Sequence, residues 1–290
     1  MEFITTWKHR WTVCQLCRVL KVSESGYFKH VRNRSRTYRH ADLLAQIHEL
    51  LREDEENSNY GVRRIYQYLC LNKDYRGSYS TVYRVCKENN LMIRCKHRPK
   101  GLTKADAAAQ KAENLIQQDF SAEAPNCKWL TDITEIPCQD GKLYLAPVLD
   151  CYDGKIVGYK ADDNMRAELC IEAFERACKA HRATGMLLHS DRGSQYTSHA
   201  FREALSRAGA IQSMSGTGRC YDNARMESFF ATLKKEKLYR VDTTQLTRDA
   251  VKTIIFRYIH YYNLRRIYST NQGLPPQRKR EQYYNTLLAA

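Results

Sequence analysis

Apolar side chains in the first forty residues recur every three to four positions, which is the period of an amphipathic helix. The first stripe consists of Val13, Leu16, Cys17 and Leu20. After a short break, Ser23 can cap a second helix that carries Tyr27 and Phe28. Two short helices joined by a tight turn and flanked by Arg and Lys predict a helix-turn-helix-like segment over residues 1–40, although any helical hairpin has the same spacing.

Residues 41–95 predict a second, basic unit of three helices. The stripe of its first helix consists of Leu43, Leu44, Ile47, Leu50 and Leu51. Two more helices follow an acidic run, and Ser80 is the predicted cap of the last one. Arg63, Arg64 and Arg84 lie off the apolar faces, so these three arginines are candidate contacts to a polyanion.

The pattern changes twice after this unit. Residues 96–119 begin with a basic stretch containing Pro99 and Gly101, which predicts a linker, and the stretch Ala105–Gln117 predicts a helix within it. The runs CKWLTDITEI, LYLAPVLD and KIVGYKA then predict a three-stranded antiparallel meander. With the helices and strands that follow, the order βββαβαβα predicts an α/β domain over residues 120–285 that ends in a helical segment.

The net charge of the chain and its distribution indicate the kind of molecule that the protein binds. The chain has 47 Lys and Arg against 32 Asp and Glu, a formal net charge of +15. Residues 1–100 contain 20 basic and 10 acidic side chains, so this part alone has a net charge of +10. A basic excess concentrated near the N-terminus predicts a polyanion partner, most simply nucleic acid, and solubility alone is the alternative.

The amino-acid composition bears on the cellular compartment in which we expect the protein. No stretch reaches the roughly 18 apolar residues of a membrane span, and the N-terminus MEFITTWKHR lacks the apolar region of a secretion signal. Eleven scattered cysteines, an odd number, fit reduced thiols better than a disulfide framework. We therefore expect a cytoplasmic protein that does not enter a membrane. Cys14 and Cys17 form a CxxC pair with no second ligand pair nearby, which favours two helix thiols over a zinc site.

Three acidic residues lie where an α/β fold presents ligands. Asp132 is in the middle of the first predicted strand, Asp191 ends the fourth, and Glu227 follows with 35 residues between. Glu227 borders a helical stripe of Met226, Phe229, Phe230 and Leu233. One such acid alone is most simply a surface residue, but the three together predict an oxygen-rich site suited to Mg²⁺. Two ions about 4 Å apart would activate an attacking hydroxyl and stabilise the leaving oxygen of a phosphodiester.

The stretches WLTDITEI, LYLAPVLD, HSDRGSQYTS and DNARMESFFATLKKE resemble the catalytic core of the DDE transposases and retroviral-type integrases. The resemblance is strongest to OrfB of the IS3 family of insertion sequences, whose DD(35)E spacing and following Lys or Arg match Asp191, Glu227 and Lys234. The N-terminal helices and YIHYYNLRRIYSTNQGLPPQ also resemble the two ends of that family. The resemblance implies an α/β, ribonuclease-H-like integrase core with a mixed five-stranded sheet, preceded by all-α helix-turn-helix-like modules.

Residue by residue, the resemblance assigns Asp132, Asp191 and Glu227 as catalytic, metal-binding acids that hold two Mg²⁺ ions, with Mn²⁺ as a substitute. It implies that Asn223 and Lys234 contact DNA phosphates, with helix capping and surface charge as the alternatives. The motif around the second acid is matched by His189, Ser190, Gly193, Gln195 and Tyr196. Asp150 and Asp222 also match, and we interpret them as structural, closing a strand and capping a helix. Tyr268 departs from the family, which often has histidine there.

The implied function is transposition: cleavage at the ends of the element and joining of the freed 3′-hydroxyl to a target phosphodiester. The implied partners are double-stranded DNA, further copies of the chain on that DNA, and an upstream-frame protein or a frameshift fusion with it. A non-catalytic DNA-binding regulator is the alternative, but it leaves the three acids unexplained. A hydrolase using Ser190 beside His189 is disfavoured because the sequence contains no GxSxG elbow and no P-loop.

Overall fold

The computed structural model describes residues 1–34, 39–93, 112–181, 184–216 and 220–289. The N-terminal unit contains α1 (Glu2–Trp7), α2 (Val13–Val19) and α3 (Glu24–Arg34). Thr12 and Gln15 form a capping box at the start of α2, and the Ser23 hydroxyl accepts the Gly26 N–H at the start of α3, as predicted. The small core of this unit consists of Ile4, Leu16, Cys17 and Tyr27.

Two features of the N-terminal unit differ from the prediction. Phe28 is exposed, because Tyr27 alone turns into the small core. The helix α1 was not predicted, since Ile4 is its single buried residue and one apolar position has no period to detect.

The helical unit (residues 41–93) contains α4 (Ala41–Glu53), a 3₁₀ turn (Glu55–Asn59), α5 (Val62–Asn72) and α6 (Tyr79–Glu88). The predicted cap of α6 is wrong. Ser78, rather than Ser80, accepts the Thr81 N–H through its hydroxyl, since α6 begins directly after Ser78.

The predicted helix Ala105–Gln117 is wrong for residues 112–117, and its earlier part lies outside the described residues. The segment from Ala112 instead follows the edge of the sheet. The Met214 N–H donates to the Glu113 carbonyl at 3.1 Å, and the Leu115 N–H donates to the Ser213 hydroxyl at 2.9 Å. These tertiary hydrogen bonds take the backbone groups that a helix would need.

The sheet is built from six strand segments. They are β1 (Lys128–Thr131), β2 (Thr134–Cys138), β3 (Gly141–Asp150), β4 (Ile156–Asp162), β5 (Leu187–Ser190) and β6 (Ile211–Met214). Both β1 and β2 pair antiparallel with β3, and β4 also pairs antiparallel with β3. On the other side, β5 runs parallel to β1 and β6 runs parallel to β5. The predicted meander and mixed α/β sheet are confirmed.

Strands β1 and β2 continue each other in one register along β3, so the six segments occupy five positions in the sheet. The pairs Thr131 with Val148 and Thr134 with Leu145 put Pro147 opposite Asp132, where the ladder is broken. Proline has no N–H to donate. The Thr131 hydroxyl donates to the Pro147 carbonyl instead, at 3.0 Å. Asp132 therefore lies in a gap in the strand and not in regular ladder pairing.

Helices cover both faces of this sheet. They are α7 (Ala167–Ala180), α8 (Ser194–Thr197), α9 (His199–Ala208), α10 (Ala224–Leu233), α11 (Arg248–Leu264) and α12 (Pro276–Ala289). On one face, Trp129 packs in a core with Phe174 of α7 and Phe201 of α9. On the other face, Leu130 belongs to a core that includes buried residues of α10 and α11. Neighbouring residues of β1 thus belong to the cores on opposite faces of the sheet.

The second of these cores also contains the buried residues of the helical unit, among them Ile47, Ile65 and Val82. The helical unit and the α/β layer therefore share one continuous apolar core in the described part of the chain. Within the described ranges, no helix is both long and apolar enough to cross a membrane.

Candidate active site

The first candidate acid, Asp132, lies in the gap between β1 and β2. Its Oδ1 accepts the Ile133 N–H at 2.8 Å. Burial raises the pKa of Asp132 to about 7, and the negative charges of Asp191 and Glu227 act in the same direction. The three predicted acids are therefore near enough to influence one another electrostatically.

Asp191 follows directly after β5, whose parallel pairing with β1 brings the ends of the two strands side by side. Its Oδ1 accepts the Gly193 N–H at 3.0 Å, and burial raises its pKa. The preceding His189 is fully buried, with its ring nitrogens 2.8 Å and 3.1 Å from the hydroxyls of Ser213 and Ser215. This histidine therefore holds the end of β5 against the segment that continues β6.

Glu227 lies on α10 as predicted, exposed at the border of the buried stripe. The first turn of α10 is tied to the core by Arg225, whose Nη1 donates to the carbonyls of Phe120, at 3.0 Å, and Cys151. Sequence reasoning missed Arg225, although its place two residues before Glu227 in a recognised motif was a usable signal. The helix is therefore anchored by a side chain next to the acid that it presents.

Asn223 is buried, and its Nδ2 donates to the Thr131 carbonyl at 3.3 Å, next to Asp132. Asn223 occupies the N-cap position of α10, as the capping alternative expected, but its side chain makes no capping hydrogen bond. Lys234 follows the last residue of α10; burial lowers the pKa of Lys234, whereas the charge of Asp132 raises it. Both residues lie beside the acids, and their contact with DNA phosphates stays a prediction.

The two acids that we interpreted as structural are fully buried. Asp150 ends β3 and accepts hydrogen bonds from the Asn126 N–H at 2.7 Å and from Arg280 at 2.6 Å, so it closes the strand as predicted. Asp222 does not cap a helix with its side chain. Its Oδ2 accepts from Asn114 at 2.8 Å and from the Gly216 N–H at 2.9 Å, which fixes the approach to α10.

The predicted DNA-contacting arginines lie on α5 and α6 of the helical unit. Arg63 and Arg84 are exposed. Arg64 is partly buried, and its Nη1 lies 2.8 Å from Oε1 of Glu236. The DNA contacts of all three arginines stay predictions, and sequence reasoning missed Glu236.

The three carboxylates have few partners inside the described part of the protein. Among the described residues, no hydrogen-bond partner reaches the second oxygen of Asp132 or Asp191, and Glu227 has no hydrogen bond or ion pair. In the same part of the chain, no three acidic, histidine or cysteine side chains converge closely enough to hold one ion together. An ion at this site would therefore have at most two of these side chains as ligands, which Mg²⁺ tolerates because it takes few protein ligands and keeps water and phosphate oxygens.

The chain matches three family models. An integrase core domain matches residues 122–220, a second integrase core model matches residues 208–276, and an HTH-like domain matches residues 39–100. Fold and site together thus define a protein with an integrase core that follows an HTH-like domain.

Sequence relatives name the family more closely. Transposase InsF for insertion sequence IS3A from Escherichia coli K12 is 31% identical over 100% of both chains. An uncharacterized 31 kDa protein of insertion element IS600 from Shigella sonnei is 35% identical over 93% of this chain and 98% of the relative. The transposase of IS904 from Lactococcus lactis is 44% identical over 56% of this chain and 64% of the relative. The chain belongs to the IS3 family of insertion-sequence transposases.

Solved structures align at low identity. The HTLV-2 integrase catalytic core in complex with magnesium aligns with a TM-score of 0.43 and 18% identity, over 55% of this chain and 98% of that one. A chain of the simian T-cell lymphotropic virus intasome in complex with PP2A regulatory subunit B56 gamma aligns with a TM-score of 0.48 and 14% identity, over 77% and 71%. The family assignment rests on the sequence relatives.

Proposed function

We propose that this transposase cleaves DNA at the ends of its element and joins the freed 3′-hydroxyl to target DNA, with Asp132, Asp191 and Glu227 as its catalytic acids. One observation carries the proposal: β5 runs parallel to β1 with His189 opposite Leu130, which places Asp191 beside Asp132, and Asn223 at the start of α10 donates to Thr131, the residue before Asp132. Uncompensated acids held close together are unfavourable in a fold, and a metal site gives a reason to keep them.

The charges of Asp191 and Glu227 both act on Asp132, so Asp132 is the acid that two metal ions would share. We assign Asp132 and Asp191 to one Mg²⁺ ion, and Asp132 and Glu227 to a second, with Mn²⁺ as a substitute. When bound, such ions lower the pKa of the attacking hydroxyl and stabilise the oxygen that leaves the phosphodiester. The backbone amides of Ile133 and Gly193 orient the two aspartates, and Asn223 and Arg225 hold the start of α10, so the acids are positioned before DNA arrives.

The basic helical units are the part of the chain that we propose binds DNA. Arg63 and Arg84 are exposed on the helical unit and would contact phosphates of double-stranded element ends. Asn223 donates to the residue before Asp132, and Lys234 is near enough to feel the charge of Asp132, so both would contact the reacting strand. We further propose that the chain acts as a homo-oligomer on DNA, in the bacterial cytoplasm and on the nucleoid. An upstream-frame protein, or a fusion with it, would add further DNA binding.

Oligonucleotides carrying the element ends test this function. The chain, alone and fused to its upstream frame, is incubated with labelled ends, target DNA and Mg²⁺. We expect cleaved ends and joined products that disappear when EDTA removes the metal. Asp191→Asn and Glu227→Gln should lose both products, whereas Glu135→Gln, an exposed acid on β2 paired with Lys142, should keep them. DNA binding without any metal-dependent product would favour the non-catalytic regulator.

Full activity in the Asp191→Asn and Glu227→Gln variants would show that the site assignment is wrong.

A further inference from the structure

A buried carboxylate outside the active site joins three distant parts of the chain. Glu236 is 9% exposed and accepts four hydrogen bonds, each of 2.8 Å. The donors are Nη1 of Arg64, the hydroxyl of Tyr258, and both Nε and Nη2 of Arg266. Arg266 is itself buried and grips the carboxylate through two parallel bonds, a geometry that fixes orientation as well as distance.

The position of Glu236 in the chain links this cluster to the active site. It lies in a single π-helical turn, Lys234–Leu238, that directly continues α10. Glu227 is thus nine residues upstream on the same helical path, and Lys234 is two residues upstream. Asn223 and Arg225 fix the start of α10, and Glu236 fixes its end. The orientation of Glu227 depends on both anchors, because the intervening helix is a rigid element.

Arg64 brings the helical unit into this arrangement, since it belongs to α5. Further polar contacts join the same two surfaces: Lys237 pairs with Glu56, Arg265 pairs with Asp54 at 2.8 Å, and the Tyr261 hydroxyl donates to Asn57 at 3.1 Å. The two surfaces also share one apolar core. These contacts would transmit a displacement of the helical unit to the turn that carries Glu236.

We propose that Glu236 and Arg64 form a positioning joint, which keeps Glu227 and Lys234 in their catalytic orientation while the helical unit holds the DNA end. This proposal rests on the proposed function. It gives Arg64 a role different from the phosphate contact predicted from its sequence position, because its guanidinium is committed to Glu236. Buried ion pairs add little net stability but hold a defined geometry when every partner is satisfied.

The decisive variant is Arg64→Met, which keeps an unbranched apolar stem and removes the guanidinium and its charge. If the joint positions α10, affinity for the DNA end and its salt dependence stay within twofold of wild type. The rate of cleavage by the bound complex falls by about 10- to 100-fold, as expected for a small misplacement of a catalytic group. The Mg²⁺ concentration for half-maximal rate rises several-fold, because Glu227 is less well placed to hold the ion.

A phosphate contact would give the opposite pattern. Affinity for the DNA end would fall, the slope of affinity against salt would decrease by about one, and the Mg²⁺ dependence of the bound complex would not change. That pattern, or a variant with wild-type rate and Mg²⁺ dependence, overturns the proposal.

Lys73→Met is the matched control. Lys73 pairs with Glu49 at 3.0 Å, so the variant breaks an ion pair inside the helical unit without touching the joint. We expect wild-type turnover and Mg²⁺ dependence. Combining Arg64→Met with Glu236→Gln should slow cleavage no further than Glu236→Gln alone, because both changes break one joint. Should Glu236→Gln not fold, Arg64→Met against Lys73→Met decides the question by itself.

Hydrogen exchange separates failure of the joint from failure of the proposed function. In Arg64→Met, amides of α10 and of residues 234–238 should exchange faster than in Lys73→Met, whether or not the wild type cleaves DNA. Unchanged exchange in these segments overturns the joint even if the wild type proves inactive. An inactive wild type with faster exchange in Arg64→Met overturns the proposed function and leaves the mechanical coupling supported.

Discussion

Acidic side chains of this protein lie in two contrasting environments. At the candidate active site, Glu227 is exposed with no ion pair among the described residues, and Asp132 has acids as close neighbours. At the end of β3, Asp150 and Asp153 are fully buried, and Arg280 of α12 meets them at 2.6 Å and 2.7 Å. The second arrangement is neutralised inside the protein, whereas the first has no cationic side chain paired with it in the described part of the chain. Whether an acid has a cationic partner, more than whether it is buried, thus distinguishes the candidate catalytic acids of this transposase from its structural acids.

The Arg280 cluster holds the C-terminal helix against the end of β3. Trp129 donates its Nε1–H to Asp150 at 3.3 Å, and Asn271 donates to the Asp153 carbonyl at 2.7 Å. A buried acid with a full set of donors is tolerated, but removal of its cation leaves an uncompensated charge. The two kinds of acid should therefore respond differently to substitution.

The largest effect is expected from Asp132→Asn, because Asp132 is shared by both proposed carboxylate pairs. Cleavage in a single-turnover assay should slow by about 10³-fold, equivalent to about 4 kcal/mol of barrier, as the metal-dependent stabilisation is lost. Glu135→Gln is the control on the neighbouring strand. A loss of less than tenfold in Asp132→Asn would remove Asp132 from the chemistry.

Arg280→Met should cost the fold about 3–5 kcal/mol, because Asp150 and Asp153 then remain buried without a cation. Urea unfolding measures the change. Arg278→Met on the same helix breaks an exposed pair with Glu281 and should change stability by less than about 0.5 kcal/mol. Equal effects of the two substitutions would contradict the contrast drawn here.

His181 should make the Arg280 region sensitive to acid. Burial, with the charges of Arg280 and Lys155, lowers the pKa of His181 to about 4. Between about pH 6.5 and pH 4 the unfolded chain binds a proton that the folded chain does not, so stability falls as the pH falls through this window.

His181→Gln should flatten this dependence by on the order of 2 kcal/mol, measured as unfolding free energy at pH 7 and pH 4.5. His199→Gln alters an exposed histidine and serves as the control. The same pH profile in wild type and His181→Gln would exclude the buried histidine as the cause.

The smallest effect is expected on stability in Glu227→Gln. Because Glu227 is exposed and unpaired in the described part of the chain, its unfolding free energy should change by less than about 0.5 kcal/mol. Thermal unfolding beside the cleavage assay would then show lost activity in an intact fold. A loss of unfolding free energy above about 2 kcal/mol would show that Glu227 is a structural acid, and would contradict the contrast between the active-site acids and the buried, paired acids.

Much of the architecture could be predicted from local patterns. The change from a helical to an alternating period marked the start of the sheet, and the stripe of Met226, Phe229 and Leu233 oriented α10 with Glu227 at its border. The wrong predictions fall where contacts with residues distant in the sequence determine the local backbone structure. Residues 112–117 follow the edge of β6 instead of forming a helix, and the strand breaks at Asp132 because Pro147 lies opposite.

The sequence by itself determined the order of elements, the positions of the three acids and the basic character of the helical unit, because periodicity, spacing and charge are properties of neighbouring residues. Only the tertiary structure decided which charges meet. Arg64 and Glu236 are 172 residues apart, and their partnership became visible only when α5 lay against the continuation of α10. The same holds for Arg280 with Asp150, 130 residues apart, since a long-range ion pair has no local pattern to reveal it.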